Sequence, residues 1–354
     1  MTVHPLNLCP PGPLPQGGRA GEGAVKPCDS TRHASGAESH QHGAAMLMAL
    51  FVAALATLIV TDLFYSQFVI LRTIENQQLV SQSRLLLRGA LDWARAILRE
   101  DAVRSNFDSL TEPWAQPLAE TRLDQLGETS TLAAQASIAG GIEDAQSRLN
   151  LRNLVSGDGQ INTRERDSLR RLASLLKVPE QAADLITLYM QEALARPSSG
   201  GASAVGSSNP RPLALLLPRD LRGVAGIDAD TAARLADYVV ILDERTPVNV
   251  NTAAPETIAA RVANLTIADA RALVADRERV GYFTNLGDLQ NRLSRFGRGD
   301  LGPVTQQDLD TTSRYFIVRG QVKLDRANTR MEALVRRGPA ATSQPVLVLW
   351  QREL

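Results

Sequence analysis

The chain contains 354 residues, and its 38 basic and 38 acidic side chains cancel to a formal net charge of zero. A nucleic-acid-binding protein normally carries a basic excess, so this balance argues against a nucleic-acid partner. All four histidines and both cysteines lie within the first 42 residues. The rest of the chain therefore lacks histidine-assisted nucleophiles, thiol chemistry, disulfides and His/Cys zinc sites. We predict a protein with no catalytic residues and no cofactor, and hence not an enzyme.

The N-terminal region changes character abruptly near residue 44. Residues 1–43 are rich in proline and glycine, which is typical of a disordered segment. An apolar run of 17 residues follows from Ala44 to Val60, at the short end of the range that spans a bilayer. A buried core helix or a signal-peptide core is the alternative, but a core helix normally shows an amphipathic stripe and this run is apolar all round. We predict a transmembrane segment at 44–63.

The helix is predicted to continue beyond the membrane, because no glycine or proline occurs between residues 44 and 88. After Asp62 the pattern becomes amphipathic, with apolar side chains at intervals of three and four residues. One helix over 44–98 would therefore bury one face of its last third against a folded domain. The apolar positions are Phe64, Phe68, Leu71 and Ile74, and then Leu87, Leu91, Ala94 and Leu98.

Strands are predicted on both sides of a long helical segment. Residues 129–154 have strand character, and the Gly140–Gly141 pair predicts a hairpin turn between two strands. Three short runs near the C-terminus also predict strands, at Tyr315–Leu324, Met331–Arg336 and Val346–Trp350.

The segment between these strands is predicted to be helical. Residues 162–196 show helical periodicity with a new helix at Pro179, and a loop rich in glycine, serine and proline follows at 197–212. A second helical region covers 213–310, where Thr266 and Asp269 fit a capping box. The predicted order is helix, strands, helical insertion, strands.

Three local matches now resemble one family, the minor pseudopilin K (GspK) family of the type II secretion system. The Gly43-Ala44-Ala45-Met46-Leu47 segment is similar to the family's prepilin-peptidase junction. The segment from Ile142 to Leu154, IEDAQSRLNLRNL, resembles its I-x-D-x-Q-x-R-F-N-L-N-N-L strand. The segment from Pro247 to Ala253, PVNVNTA, resembles its I-N-V-N-T-A element.

The resemblance implies an α+β fold, in which a long N-terminal transmembrane helix packs on an antiparallel sheet. A large α-helical insertion, SAM-like or helix-hairpin-helix-like, would interrupt the sheet. The implied parts are a leader at 1–43, the helix at 44–98, the first part of the pilin β domain at 99–154, an inserted helical domain of two subdomains at 155–310, and the C-terminal strands of the pilin domain at 311–354.

The resemblance also implies processing and a place in a filament. Prepilin peptidase would cleave between Gly43 and Ala44, and the new Ala44 amine would be methylated. Ordinary pilins carry glutamate at the fifth mature position, where it pairs with the N-terminal amine of a neighbouring subunit, but this chain has Met48 there. The family lacks this glutamate and sits at the pseudopilus tip, which the bulky insertion also favours. The side chains expected to pack in the helical bundle are Met48, Phe51, Phe64, Phe68 and Leu71.

The location and partners follow from the same resemblance. It implies a single-pass protein of the cell inner membrane, with its C-terminal domain in the periplasm, that supports protein secretion across the outer membrane. The implied partners are other minor pseudopilins of the I, J and H types, the major pseudopilin and prepilin peptidase. Secreted substrates and the outer-membrane secretin are further candidates.

Two other classes of function remain open. The segment from Asn249 to Ala253 and the helices after it also resemble helix-hairpin-helix modules of DNA-binding competence proteins, with hairpins at Val224–Ile227 and near Leu265–Ala268. Such modules bind phosphate through amides at helix N-termini, so a membrane-anchored DNA-binding and uptake protein is the runner-up. A carboxylate-dependent hydrolase is the third class, and no motif supports it. Arginines available for DNA are Arg261, Arg271, Arg277, Arg279, Arg292, Arg295 and Arg298.

A calcium site is the remaining alternative for a cofactor. The segment from Gly157 to Asn162, with Glu165 after it, faintly resembles a calcium loop, but Leu154 and Ser156 stand where carboxylates are needed. A turn followed by a helix N-terminus is the preferred interpretation, and calcium ligands stay unidentified. The three tryptophans are predicted to be core or interface anchors: Trp93, Trp114 and Trp350.

Overall fold

The computed structural model describes residues 42–127, 131–195, 212–296, 304–338 and 346–354. The described chain forms two compact units, one ending at Gln67 and one running from Phe68 to Leu354. The predicted leader up to residue 41 and most of the predicted 197–212 loop lie outside the described residues.

Helices and strands follow one another in the predicted order of helix, strands, helices and strands. They are α1 (His42–Arg104), β1 (Leu118–Arg122), α2 (Thr131–Gln135), β2 (Ala136–Asp144), β3 (Leu149–Asn150), α3 (Thr163–Leu175), α4 (Gln181–Leu194), α5 (Ala229–Ala236), β4 (Val239–Val240), β5 (Val248–Asn249), α6 (Pro255–Arg261), α7 (Ile267–Val280), α8 (Leu286–Phe296), β6 (Leu309–Asp310), β7 (Tyr315–Leu324), β8 (Ala327–Arg336) and β9 (Leu347–Glu353).

Helix α1 extends at both ends beyond the predicted 44–98, from His42 to Arg104. Its C-terminal extension carries Asp101, whose carboxylate accepts a 2.7 Å hydrogen bond from Arg337. The periodicity of the helix does not predict this tertiary contact, which holds the last turn of α1 in place. The four apolar positions predicted to face a domain are buried there: Leu87, Leu91, Ala94 and Leu98.

Five antiparallel strands form the sheet on which this part of α1 packs. The strand order is β1-β2-β7-β8-β9, so the first two strands come before the helical insertion and the last three after it. The buried face of α1 contacts the sheet through Phe316, Val318 and Val335, among others. Burying each large aliphatic side chain contributes about 1.5–3 kcal/mol. The predicted α+β class, with a long helix on an antiparallel sheet, is confirmed.

The hairpin predicted at Gly140–Gly141 is wrong, because β2 runs straight through both glycines. A Cβ atom added to Gly140 would lie 2.6 Å from the backbone oxygen of Arg319 on β7. Glycine is therefore required by the close approach of a neighbouring strand, and the pair marks no turn. The segment before β2 also differs from the prediction, since α2 is helical where strand character is predicted.

Helices α3 to α8 form a second hydrophobic core of their own. Two short two-stranded parallel sheets also lie in this region, formed by β3 with β4 and by β5 with β6. The predicted hairpin at Val224–Ile227 contains Gly226 with φ of +86°. Asn264, immediately before the second predicted region near Leu265–Ala268, takes the left-handed conformation at φ of +63°. Thr266 caps α7 as predicted, accepting a hydrogen bond from the backbone N–H of Asp269 at 3.2 Å.

Candidate functional site

The described part of the first unit exposes its apolar side chains. Every side chain from Ala44 to Gln67 is exposed, and Met48, Phe51 and Phe64 each expose about two thirds of their surface or more (68, 65 and 69%). By length and composition, α1 is the one helix among the described residues that could cross a membrane. A single-pass anchor fits this surface, since only lipid or other apolar helices would cover it favourably.

Two of the predicted assembly residues lie in the second unit. Phe68 and Leu71 are both exposed on α1, and the Arg72 guanidinium lies 5.2 Å from the centre of the Phe68 ring. Gly43 and Ala44 are part of the first turn of α1. Cleavage after Gly43, methylation of Ala44 and bundle packing by the five assembly residues stay predictions.

The two internal motifs, far apart in the sequence, meet around the carboxylate of Asp144. Its Oδ2 accepts hydrogen bonds from Asn249 Nδ2 at 3.0 Å, Thr252 Oγ1 at 2.5 Å and Ser313 Oγ at 2.6 Å. Its Oδ1 accepts the backbone N–H of Gln146 at 2.7 Å. We call Asp144, Asn249, Thr252 and Ser313 the polar joint. It links the end of β2, the Asn-Val-Asn-Thr-Ala element and the residues that lead into β7.

The two asparagines of the first motif bind the residues before Pro247. The Asn153 side-chain amide donates to the carbonyl of Thr246 at 2.8 Å and accepts its N–H at 3.1 Å. Asn150 donates to the Glu244 carbonyl at 2.8 Å and to Thr246 Oγ1 at 3.1 Å. Both side-chain amides form hydrogen bonds with main-chain groups, as a neighbouring strand would. These bonds fix the conformation of the residues that precede the second motif.

The Asn-Val-Asn-Thr-Ala element is held from its other side by the inserted helices. The Asn251 side chain donates to the backbone oxygen of Phe283 at 2.9 Å and accepts its N–H at 2.8 Å. Arg277 is buried and donates to the carbonyls of Val250 at 2.6 Å and Ala253 at 3.0 Å. The element thus lies between the sheet and the helices and bonds to both.

A second buried cluster adjoins the polar joint. Arg337 donates to Asp101 at 2.7 Å, to both oxygens of Asp108 at 2.6 and 2.7 Å, and to the Ser313 carbonyl at 2.8 Å. Glu112 lies close by and accepts from Trp114 Nε1 at 3.0 Å. We call Asp101, Asp108, Glu112 and Arg337 the carboxylate cluster.

Burial raises the pKa values of three of these carboxyl groups, those of Asp101, Asp108 and Asp144. Burial, followed by the neighbouring Glu112 carboxylate, raises the pKa of Asp101 to about 7. Burial also raises the pKa of Asp108, against the opposing effect of Arg337. Burial raises the pKa of Asp144 to about 6, although hydrogen bonds from Ser313 and Thr252 oppose the rise. A single guanidinium cannot neutralise the three carboxylates of this cluster, so the pKa values of Asp101 and Asp108 are raised in spite of Arg337.

Carboxylate oxygens are also the ligands that calcium prefers. Those of Asp101, Asp108 and Glu112 lie within 4.8 Å of one another, but Arg337 already donates to the two aspartates, so this arrangement does not fit a metal ion. In the Gly157–Asn162 region the predicted turn and helix are present, and Glu165 binds Arg261 through both oxygens at 2.6 and 2.7 Å. An arginine thus already binds carboxylates in both groups.

Three of the arginines that could contact DNA, Arg261, Arg277 and Arg292, are used inside the helical insertion. Arg261 is buried against Glu165 and Asp308, and Arg292 binds Asp288. Arg271 and Arg279 pair more loosely with acidic neighbours. Arg277 binds the carbonyls described above, Arg295 is exposed, and Arg298 lies outside the described residues.

Comparisons with known proteins agree with this architecture. Two family models match the chain, at residues 147–244 and 248–311, and both describe type II secretion system protein K. Together they contain most of the first motif and nearly all of the second. The chain belongs to the type II secretion system protein K family.

Relatives and a solved structure extend the comparison. The chain is 27% identical to type II secretion system protein K of Pseudomonas aeruginosa, over 84% of this chain and 89% of that protein. It is 28% identical to the protein K of Pectobacterium carotovorum, over 84% and 93%. Its fold is similar to a chain of the GspK-GspI-GspJ complex from enterotoxigenic Escherichia coli, with a TM-score of 0.57, 21% identity, and coverage of 79% of this chain and 98% of that one.

The family is one of minor pseudopilins, which are structural subunits of the secretion system and not enzymes. The sequence pattern does not single out Asp108, Ser313 or Arg337, although they complete the polar joint and the carboxylate cluster. Each is a lone polar residue without periodicity or a motif. The sequence indicates such residues only indirectly. The first motif places Asp144 after an apolar strand, and a buried carboxylate requires hydrogen-bond donors from other parts of the chain.

Proposed function

We propose that this chain caps the tip of the periplasmic pseudopilus and supports its assembly for protein secretion across the outer membrane. The observation that carries the proposal is Met48, an apolar residue at the position where a stacking pilin has glutamate, in the exposed apolar N-terminal part of α1. A subunit without that carboxylate cannot neutralise the N-terminal amine of a subunit above it, and an unpaired charge in an apolar bundle is costly.

The helical insertion supports the same position. Helices α3 to α8 form a separate core on the sheet domain, and such a bulk is difficult to accommodate between stacked subunits. In this proposal α1 anchors the chain in the inner membrane and the second unit lies in the periplasm. Its partners are minor pseudopilins of the I, J and H types and the major pseudopilin; a GspK-GspI-GspJ complex is known for the structural relative. Prepilin peptidase processes the chain, and secreted substrates and the secretin lie beyond the tip.

Labelling of assembled filaments tests the tip position. Both natural cysteines lie in residues 1–43, so a mature chain beginning at Ala44 carries no thiol. Leu213 is 85% exposed, and Leu213→Cys therefore offers one accessible thiol on the helical insertion. After reaction with maleimide gold, electron microscopy should show particles at filament ends. The unsubstituted mature chain should bind none, and particles along the filament length would contradict the proposal.

Processing is tested separately at the junction. Gly43→Val should block cleavage, because a branched side chain would stand at the bond that the peptidase must hold. Intact mass and N-terminal sequencing of protein from membranes should then show residues 1–43 retained, and secretion should be lost. The unsubstituted chain, and Ala49→Val as a matched control within α1, should begin with a methylated Ala44. Equal masses for Gly43→Val and the unsubstituted chain, with secretion intact, would refute the proposed processing.

A further inference from the structure

A row of alternating charges crosses the sheet and stops at its edge. Arg319 on β7 lies directly opposite Glu332 on β8, and Glu332 lies opposite Arg352 on β9. Arg319 Nε donates to Glu332 Oε1 at 3.1 Å, and Arg352 Nε donates to Glu332 Oε2 at 2.8 Å. Arg319 also binds Glu143 on β2. The signs therefore alternate from β2 to β9 and end on a cation.

The last member of this row has an unused donor. Strand β9 pairs with β8 on one side, and no strand of the described chain pairs with its other side. Within the described residues, Nη1 of Arg352 is buried and has no hydrogen-bond partner. An unsatisfied buried donor is unfavourable, and the free main-chain groups of an edge strand are a template for another strand.

An apolar row runs beside the charged one on the same face. Ile317, Leu334 and Trp350 lie opposite one another on β7, β8 and β9, two residues from the charged positions. A groove of about 370 Å³ adjoins the end of this row, lined by Leu216, Leu349 and Trp350 among others. A register irregularity between Leu334 and Val335 on the pairing with β9 leaves Trp350 to Glu353 as the regular part of the edge. A strand added here would place one side chain beside Trp350 and another, two positions along, beside Arg352.

We propose that the outer edge of β9 binds an extended segment of another protein, with an acidic residue opposite Arg352 and an apolar residue two positions away, opposite Trp350. The carboxylate would continue the alternation of charge and accept the free Nη1 donor. The apolar side chain would enter the adjoining groove. The proposal depends on the edge of the sheet alone and holds wherever the subunit sits in a filament.

A second copy of the chain does not supply this chemistry. Side chains alternate between the two faces of a strand, so Trp350 and Leu354 share the face of Arg352. Glu353, the acidic residue of β9, points to the other face and binds Arg84 of α1 at 2.8 Å. Two β9 strands paired with each other would therefore leave Arg352 without a carboxylate.

The test uses the full chain in detergent micelles and synthetic peptides at millimolar concentration. The probe is the heptapeptide Thr-Thr-Glu-Thr-Leu-Thr-Thr, which as an antiparallel strand places glutamate opposite Arg352 and leucine opposite Trp350. The matched control peptide carries lysine in place of glutamate. Hydrogen exchange followed by mass spectrometry should show slower exchange over residues 347–354. The glutamate peptide should bind about tenfold more tightly than the lysine peptide, because opposite charges across strands attract and like charges repel.

Two variants separate charge recognition from main-chain pairing. Arg352→Gln should reduce the preference for glutamate to about threefold or less while slower exchange at β9 persists. Arg330→Gln, an exposed arginine on β8, should leave the tenfold preference unchanged. The proposal is overturned if neither peptide slows exchange at β9, or if both bind equally. It is also overturned if the chain alone sediments as a dimer with β9 already protected, which would make a second copy the occupant.

Discussion

Arg337→Ala is expected to lower the free energy of unfolding by about 3–5 kcal/mol at pH 8, since it leaves buried carboxylates without their cation. Arg337 is the one guanidinium that donates to both Asp101 and Asp108 among the described residues. Urea denaturation of the detergent-solubilised chain, followed by circular dichroism, measures the loss. Arg330→Ala, which removes an exposed arginine from β8, should change the stability by less than about 0.5 kcal/mol.

The loss in free energy of unfolding caused by Arg337→Ala, here called the deficit, should be smaller at low pH than at high pH. In the folded chain the pKa of Asp101 is about 7, above its ordinary value. Between that ordinary value and pH 7 the folded state binds a proton that the unfolded state does not, so stability falls as pH rises through this window. Without Arg337 the pKa values of Asp101 and Asp108 rise further, and the fall becomes steeper. The deficit should therefore be smaller at pH 5 than at pH 8, and an equal deficit at both would contradict this assignment.

Asn249→Asp is the second large effect we expect, although it exchanges one NH₂ group for an oxygen. The Asn249 amide donates to Asp144 Oδ2 at 3.0 Å and to Ser313 Oγ at 2.9 Å. A second carboxylate there would face that of Asp144 inside the protein, where like charges and a lost donor both disfavour folding. We expect a loss of about 3 kcal/mol at pH 8.

Protonation offers an internal check on that result. Burial already raises the pKa of Asp144 to about 6, and the new carboxyl would raise it further, so one proton shared by the pair should restore part of the stability at pH 5. Asn291→Asp, at an exposed position of α8, should be nearly neutral at both values. If Asn249→Asp were as stable as the unsubstituted chain at pH 8, the polar joint would not hold the domain together.

The sequence predicts the elements of this fold well where local periodicity decides them. The apolar run is a continuous stretch of apolar residues, the buried face of α1 follows from intervals of three and four residues, and β7 occupies the predicted Tyr315–Leu324. The prediction fails at Gly140 because the reason for that glycine is the backbone of β7, which is distant in sequence. The end of α1 at Arg104 is missed for a similar reason, since the contact that holds it comes from Arg337.

The candidate site was predictable in its parts but not in its assembly. Both motifs can be located by their sequences, yet nothing local shows that Asp144 and Asn249 meet, because their contact spans 105 positions. Ser313 and Arg337 belong to no motif, and only the folded structure shows that they contact the site. The roles predicted for Gly43, Ala44, Met48 and Phe51 depend on a membrane and on neighbouring subunits, and not on contacts within the chain.

The continuity of buried polar contacts has a mechanical consequence. From Asp101 near the end of α1, hydrogen bonds pass through Arg337 and Ser313 to Asp144, and from there through Asn249 and Asn251 to the helices. Apolar surfaces can slide over one another at little cost, whereas hydrogen bonds weaken steeply when their atoms are displaced. A shear load on the sheet domain would therefore reach the inserted helices through a stiff polar linkage, and the two would move as one piece.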